Sequence, residues 1–300
     1  FRAAHYADDA LAALPFSIAE GLAARRKMPR DVMLRLLSST MTHNEKLRLQ
    51  ESAARAGVDV DVDLSRAPLT KLWLYVLSLP LDERVRRRDE LEAAIAAAAK
   101  RTLRRYPVAV TGPVAVVVDR SYSSSGSNER RRRPLGVALA VDSLVKAAAA
   151  ATGTTSTTHW STPQDDPLLT TPRGQTAIAR PLLAALATTP ALIIIVSDGV
   201  ENDPPGGAAE VVRVWREKVA STQAAASTLF LHLNPVFSAA DHAPVPLGDG
   251  IVTIGIRDAD DVGVALGFAR VAAGQASLAE LSSWLAARVR GFITVGEGAA

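Results

Sequence analysis

The stretch Val114-Ala115-Val116-Val117-Val118-Asp119-Arg120-Ser121-Tyr122-Ser123 decides the fold. Its first five residues are a continuous apolar run, mostly β-branched, which suits a strand covered on both faces in a parallel sheet. An aspartate and two serines follow at once, in a D-x-S-x-S spacing, where that strand would end. Ala191–Val196, Thr228–Leu233 and Ile251–Ile256 read as further core strands, and the Thr-rich Thr154–Trp160 as another. Helical stretches alternate with them at Pro134–Ala151, Thr176–Ala187, Ala208–Ala220 and Ser277–Val289. Strands alternating with helices of this length predict an α/β fold over residues 107–300, a doubly wound, mostly parallel, Rossmann-like sheet. Ligand sites of such sheets lie outside the carboxyl ends of the strands.

Residues 1–106 read differently, as consecutive helices. Leu11, Leu14, Ile18 and Leu22 share one face of a helix over Asp8–Lys27. Pro29 starts a second over Asp31–Ser39, and Asn44 and Glu45 open a third that stops at Gly57. Val58–Asp63 reads as a loop, Leu69–Leu79 as an apolar helix ended by Pro80, and Asp82–Arg105 as the longest helix. This front is expected to be an all-α bundle, or the end of a helical-repeat domain.

The 300 residues are 48% hydrophobic and 22% charged, the profile of a folded chain rather than a disordered one. Absence of cysteine excludes disulfides, thiolate zinc sites, iron–sulfur clusters and cysteine nucleophiles. Apolar runs such as Ala147–Ala151 fall far short of the ~20 residues of a membrane helix. No membrane span and a cytoplasmic location are therefore the expectations, for a chain that opens at Phe1 rather than Met. The net charge of +3 is uneven: residues 1–106 carry 19 basic and 14 acidic side chains, and residues 107–300 carry 15 and 17.

The acidic back half holds the chemistry. Asp119, Ser121 and Ser123 follow the first strand, Asp198 follows another in Ser197-Asp198-Gly199, and Thr176 stands at a predicted helix start. Carboxylates and hydroxyls without His or Cys suit a hard cation such as Mg²⁺, with Mn²⁺ or Ca²⁺ as other divalent occupants. On these residues the chain resembles the von Willebrand factor type A (vWA) family with its metal-ion-dependent adhesion site. The resemblance implies that Ser121, Ser123 and Thr176 are hydroxyl ligands. Asp119 and Asp198 would bind the ion directly or through water, and one position would be left for an acidic group of a protein partner.

A narrower resemblance rests on Arg133-Pro134-Leu135-Gly136, Leu192–Val200 and Trp215-Arg216-Glu217-Lys218, which look like the vWA domain of the Ro/TROVE ribonucleoprotein family. That family places helical repeats ahead of the vWA domain and binds small noncoding RNA on the basic helical part. The candidate phosphate contacts here are Arg84, Arg86, Arg87 and Arg88, with Arg130, Arg131, Arg132 and Arg133 beside the metal motif. The plain reading of Arg130–Arg133 is a solvated charge run at a helix start. Trp73 and Tyr75 read as core, and His159 and His232 as structural strand residues.

No P-loop, nucleophile elbow, G-x-G-x-x-G or H-E-x-x-H is present. A haloacid-dehalogenase-type phosphatase needs a second Asp two residues after the first, and Ser121 stands there instead. The expected function is therefore non-catalytic binding of an acidic protein group through the metal. RNA binding by the helical part is the alternative, and an adaptor role for an AAA+ ATPase a third reading.

Overall fold

The computed structural model describes residues 1–60, 62–218, 228–238 and 242–297. The chain divides into two compact units, Phe1–Ala98 and Ala99–Ala300.

The first unit is helical: α1 (Asp8–Ala12), α2 (Phe16–Arg25), α3 (Arg30–Leu37), α4 (His43–Arg55), α5 (Leu69–Ser78), α6 (Leu81–Arg86) and the start of α7 (Arg88–Arg105). Prolines punctuate it. α2, α3, α5 and α6 each begin directly after one, at Pro15, Pro29, Pro68 and Pro80. Proline disfavours helical geometry in the residue before it but is preorganised for a helix start. The single helix expected over Asp8–Lys27 is therefore two, broken at Pro15. The one expected over Asp82–Arg105 is also two, because Arg87 leaves helical geometry between α6 and α7 (φ −101°, ψ 19°).

α4 starts earlier than Asn44. Thr42 is its cap: the Thr42 hydroxyl accepts from the Glu45 amide, and Glu45 accepts from the Thr42 amide at 2.7 Å. Leu11, Phe16, Leu22, Met33, Leu34 and Leu37 form the centre of a buried apolar cluster. Trp73 and Tyr75 are buried as expected. Val58–Val60 lie outside helix and strand, as does Asp63, and residue 61 lies outside the described residues.

The second unit holds a five-stranded sheet in the order β2-β1-β3-β4-β5, parallel throughout. The strands are β1 (Val114–Val118), β2 (Ser156–Trp160), β3 (Leu192–Val196), β4 (Leu229–Asn234) and β5 (Val252–Gly255). Every residue of β1, β3 and β4 is buried, while the edge strands β2 and β5 are not. The apolar runs of β1, β3 and β4 foretell that burial. The Ile251–Ile256 run, expected to be a core strand, instead forms β5 at the sheet edge, with every strand residue only half-buried. α9 (Ala179–Leu186) and α10 (Gly207–Lys218) cover the face that presents Ala115, Val117, Ile193, Ile195 and Phe230. α8 (Arg133–Thr152) packs on β1 and β2, and α11 (Val262–Ala272) on β4 and β5. α12 (Leu278–Glu297) packs on α11.

The order reverses between β1 and β3. β2 lies on one side of β1, and β3, β4 and β5 follow on the other, which makes a topological switch point at the carboxyl ends of β1 and β3. Residues 257–276, unassigned from sequence, hold α11, whose Gly263 and Gly267 weaken a helical signal. Residues 219–220, the end of the helix expected over Ala208–Ala220, lie outside the described residues.

α8 alone has a length and hydropathy sufficient to cross a membrane among the described residues, and most of it is buried inside the protein. Truncating the double-covered centre of the sheet, by Ile194→Ala, is expected to lower unfolding free energy by roughly 2–5 kcal/mol in chemical denaturation. A loss below about 1 kcal/mol would contradict the burial of β3.

Candidate metal centre

β1 and β3 deliver Asp119 and Asp198 to the switch point, where both line one small cleft with Ser123, Ser197, Pro134 and Pro235. Asp119 is 3% exposed. The turn after β1 folds back on its carboxylate: the Ser121 amide donates to Oδ1 at 2.8 Å and the Ser121 hydroxyl to Oδ2 at 3.0 Å. Ser123 Oγ lies 2.9 Å from Ser121 Oγ, so the alternate side chains of the D-x-S-x-S turn do converge. Ser161, at the end of β2, also donates to Asp119 Oδ1 at 3.2 Å, a partner the sequence reading missed.

Burial dominates the electrostatics. It raises the Asp119 carboxyl from the ordinary 3.8 to about 6, against the hydrogen bonds from Ser121, and the neighbouring charge of Asp198 pushes the same way. The charge acting on Asp119 is thus another anion, an arrangement that a divalent cation would relieve.

Asp198 is held in a tight turn. Its Oδ1 accepts from the Val200 amide at 3.1 Å. Gly199 has φ +82°, and a Cβ there would stand 2.3 Å from the Val245 carbonyl oxygen, so only glycine fits. From the end of β4, buried Asn234 donates through Nδ2 to the Asp198 carbonyl at 2.9 Å and to the Val245 carbonyl at 3.0 Å. His232 braces the same turn. Its Nε2 lies 3.1 Å from Ser197 Oγ and its Nδ1 3.1 Å from Thr253 Oγ1, and burial pushes its pKa down to about 4. It is a neutral structural residue, as its place in a strand suggested.

Thr176 is where the expected local structure fails. It is buried but lies ahead of α9, which begins at Ala179, so it opens no helix. Its segment is pinned from two sides. The Tyr122 amide donates to the Gly174 carbonyl at 3.0 Å, joining it to the β1 turn. The Thr176 amide donates to Asn202 Oδ1 at 3.1 Å, and the Asn202 amide to the Thr176 carbonyl at 3.2 Å, joining it to the β3 turn.

Glu201 completes the strut. One carboxylate oxygen accepts from Ile178 and Ala179 at 3.0 and 2.8 Å, and the other from Ala208 at 2.7 Å, so it serves the amino ends of both α9 and α10. Ile178, at the N-cap of α9, supplies no side-chain cap of its own. The sequence signal was within reach: Glu201 and Asn202 directly extend the Ser197-Asp198-Gly199 turn.

The arginines named from sequence are placed less favourably for phosphate. Arg84 is 3% exposed and donates to the Leu79 and Leu77 carbonyls, which turns its guanidinium into the protein. Arg87 is clamped by Glu90 at 2.8 Å and Glu83 at 3.3 Å and bonded to the Tyr75 hydroxyl. Arg86 faces Glu83 at 3.8 Å, and Arg88 faces Glu92 at 3.0 Å. In the second unit Arg130 and Arg131 are exposed, Arg132 takes a left-handed conformation ahead of α8, and Arg133 donates to the Arg257 carbonyl at 2.6 Å.

The donor set fits a hard dication better than a soft one. Among the described residues no group of three or more His, Cys, Asp or Glu side chains gathers, and the centre combines two carboxylates with neutral hydroxyls.

Two measurements follow from this geometry. With its folded pKa at about 6 and its ordinary value at 3.8, Asp119 lowers stability as pH rises between those values and keeps its full cost above them. That cost is on the order of 3 kcal/mol. Asp119→Asn is therefore expected to raise the melting temperature in chelator at neutral pH and to have little effect near pH ~4; an equal effect at both would contradict the buried anion. Asn202→Leu, which removes the acceptor at Thr176, is expected to weaken Mg²⁺ binding about tenfold, while Asn202→Asp, which keeps the oxygen, retains it. Equal affinities of the two variants would sever Thr176 from that strut.

Compared with protein-family models, with curated proteins and with solved structures, the chain matches none.

Proposed function

We propose that the second unit is a vWA-like binding module that carries a divalent cation of the Mg²⁺ class and engages an acidic group of a protein partner, without catalysis. The observation that carries this reading is the buried Asp119 carboxylate, bonded to Ser121 and pressed by a second anion, at the switch point of a parallel sheet. Asp119, Ser121, Ser123, Thr176 and Asp198 would hold the ion. When bound, it would act as a Lewis acid for an incoming oxygen anion.

Each residue has a separable part. Asp119 and Asp198 supply the two negative charges. The hydroxyls of Ser121 and Ser123 add neutral donors, and exposed Ser123 marks the open side. A site with only two anionic ligands does not over-neutralise a dication, which leaves it attractive to a carboxylate from outside. Buried Ser197 meets His232, but that imidazole is held between Ser197 and Thr253, and the Ser121 hydroxyl is engaged by Asp119 in the turn that would hold the ion.

The RNA-binding alternative loses two of its candidates in the first unit, because Arg84 is buried on carbonyls and Arg87 is held by two glutamates, while Arg86 and Arg88 keep only surface pairs with Glu83 and Glu92. A steep fall in RNA affinity with salt would restore it.

Isothermal titration with Mg²⁺ tests the main reading. Wild type is expected to bind with measurable heat, and Asp119→Ala to lose it; equal affinity in the two proteins would overturn the site.

A further inference from the structure

Most of the large apolar side chains of the second unit are buried, yet several exposed ones gather at the carboxyl ends of β1, β3 and β4. Tyr122 is 69% exposed, between Ser121 and Ser123. Val200 is 55% exposed, and its amide bonds Asp198. Val245 is exposed and sits against Gly199, its carbonyl sharing the Asn234 amide with that of Asp198. Val236 and Phe237 are also exposed, directly after Pro235 of the metal cleft. Backbone bonds thus fix each of the first three beside a candidate ligand. On the turns that bear or brace the candidate ligands, these residues make up an apolar collar.

Charge stands behind the collar. The turn that carries Ser123 is closed by a bridge between Gly126 and Arg131, and exposed Arg130 and Arg131 stand on it. The turns that bear the candidate ligands therefore carry exposed aliphatic and aromatic side chains, and the turn that follows Ser123 carries exposed cationic ones.

Resting on the function proposed above, we propose that the site selects a protein segment in which one Asp or Glu is flanked by apolar residues, with further acids nearby. The carboxylate would reach the ion, its apolar neighbours would pack on Tyr122, Val200, Val236 and Val245, and outer acids would meet Arg130 and Arg131. A nucleic acid fits this surface poorly. Phosphate oxygens suit the ion, but bases need flat aromatic platforms; only Tyr122 and Phe237 offer rings, and the valines between the candidate ligands offer none. A bare acidic peptide would leave the collar in water and forgo its apolar burial.

The probe is a random peptide library panned on the whole chain in Mg²⁺ and in chelator. Peptides retained only in Mg²⁺ are expected to share an acid between apolar residues. Val236→Ser/Val245→Ser is expected to weaken such a peptide about tenfold, and to leave the Mg²⁺ titration unchanged. Peptides selected for acids alone, no peptide selected, or a double variant that binds as wild type would overturn the collar. So would a single-stranded RNA oligonucleotide that binds in Mg²⁺ and is weakened by the same double variant. A Mg²⁺ titration without heat, together with selection that persists in chelator, would overturn the metal reading instead, and an apolar-flanked motif in those peptides would leave the collar standing.

Discussion

A carboxylate held out of water at the end of a strand with no exposed face is the constraint on which the second unit turns. β1 is buried along its whole length, so its last residue emerges into protein rather than solvent. Asp119 then has few ways to satisfy its oxygens. The following turn supplies one solution by curling back, so that the Ser121 amide and hydroxyl both reach the carboxylate. The bonds do not cancel the burial, and the carboxyl remains raised to about 6. The ionised Asp119 therefore costs stability, a cost that a cation would relieve under the function proposed above.

The same logic explains why one loop does so much of the holding. After β3 the chain must present Asp198, turn sharply at Gly199 and return to start α10. Glu201 uses that turn to satisfy the amino ends of two helices, and Asn202 uses it to fix Thr176. Three segments that are distant in sequence are thus set by one short stretch of polar side chains. Backbone amides at helix starts need acceptors, and the acceptor here lies three residues beyond a candidate metal ligand.

Much of the second unit was legible because its periodicities are simple. Unbroken apolar runs gave the buried strands β1, β3 and β4, and Asp and Ser after β1 and β3 marked the candidate site. Less was legible where a local signal had to be overridden. Thr176 reads as a helix opener, yet its amide goes to Asn202 and the helix waits for Glu201. Proline at position 15 and the backbone of Arg87 each split what looked like one amphipathic helix. α11 was invisible because its glycines dilute the pattern, although Gly263 is needed for close packing: a Cβ there would meet the Pro107 carbonyl oxygen at 2.5 Å.

Charge shows the same gap between composition and placement. The excess of basic over acidic residues at the front of the chain suggests a surface for polyanions, but position decides whether a guanidinium is available. Arg84 does the work of a backbone cap inside the helical unit, and Arg87 is stacked over Tyr75 while held by two glutamates. Arg84 must give up buried carbonyls before it can meet a phosphate, whereas an exposed pair such as that of Arg86 with Glu83 is cheap to break. At the back, a slightly acidic half conceals the stronger attraction. Its two aspartates face inward on a site that a cation would neutralise, and its exposed arginines and apolar side chains stand at the mouth. Net charge by segment thus points to the helical front, whereas burial points to the ends of β1 and β3, and burial is the term that sets how strongly a charge acts.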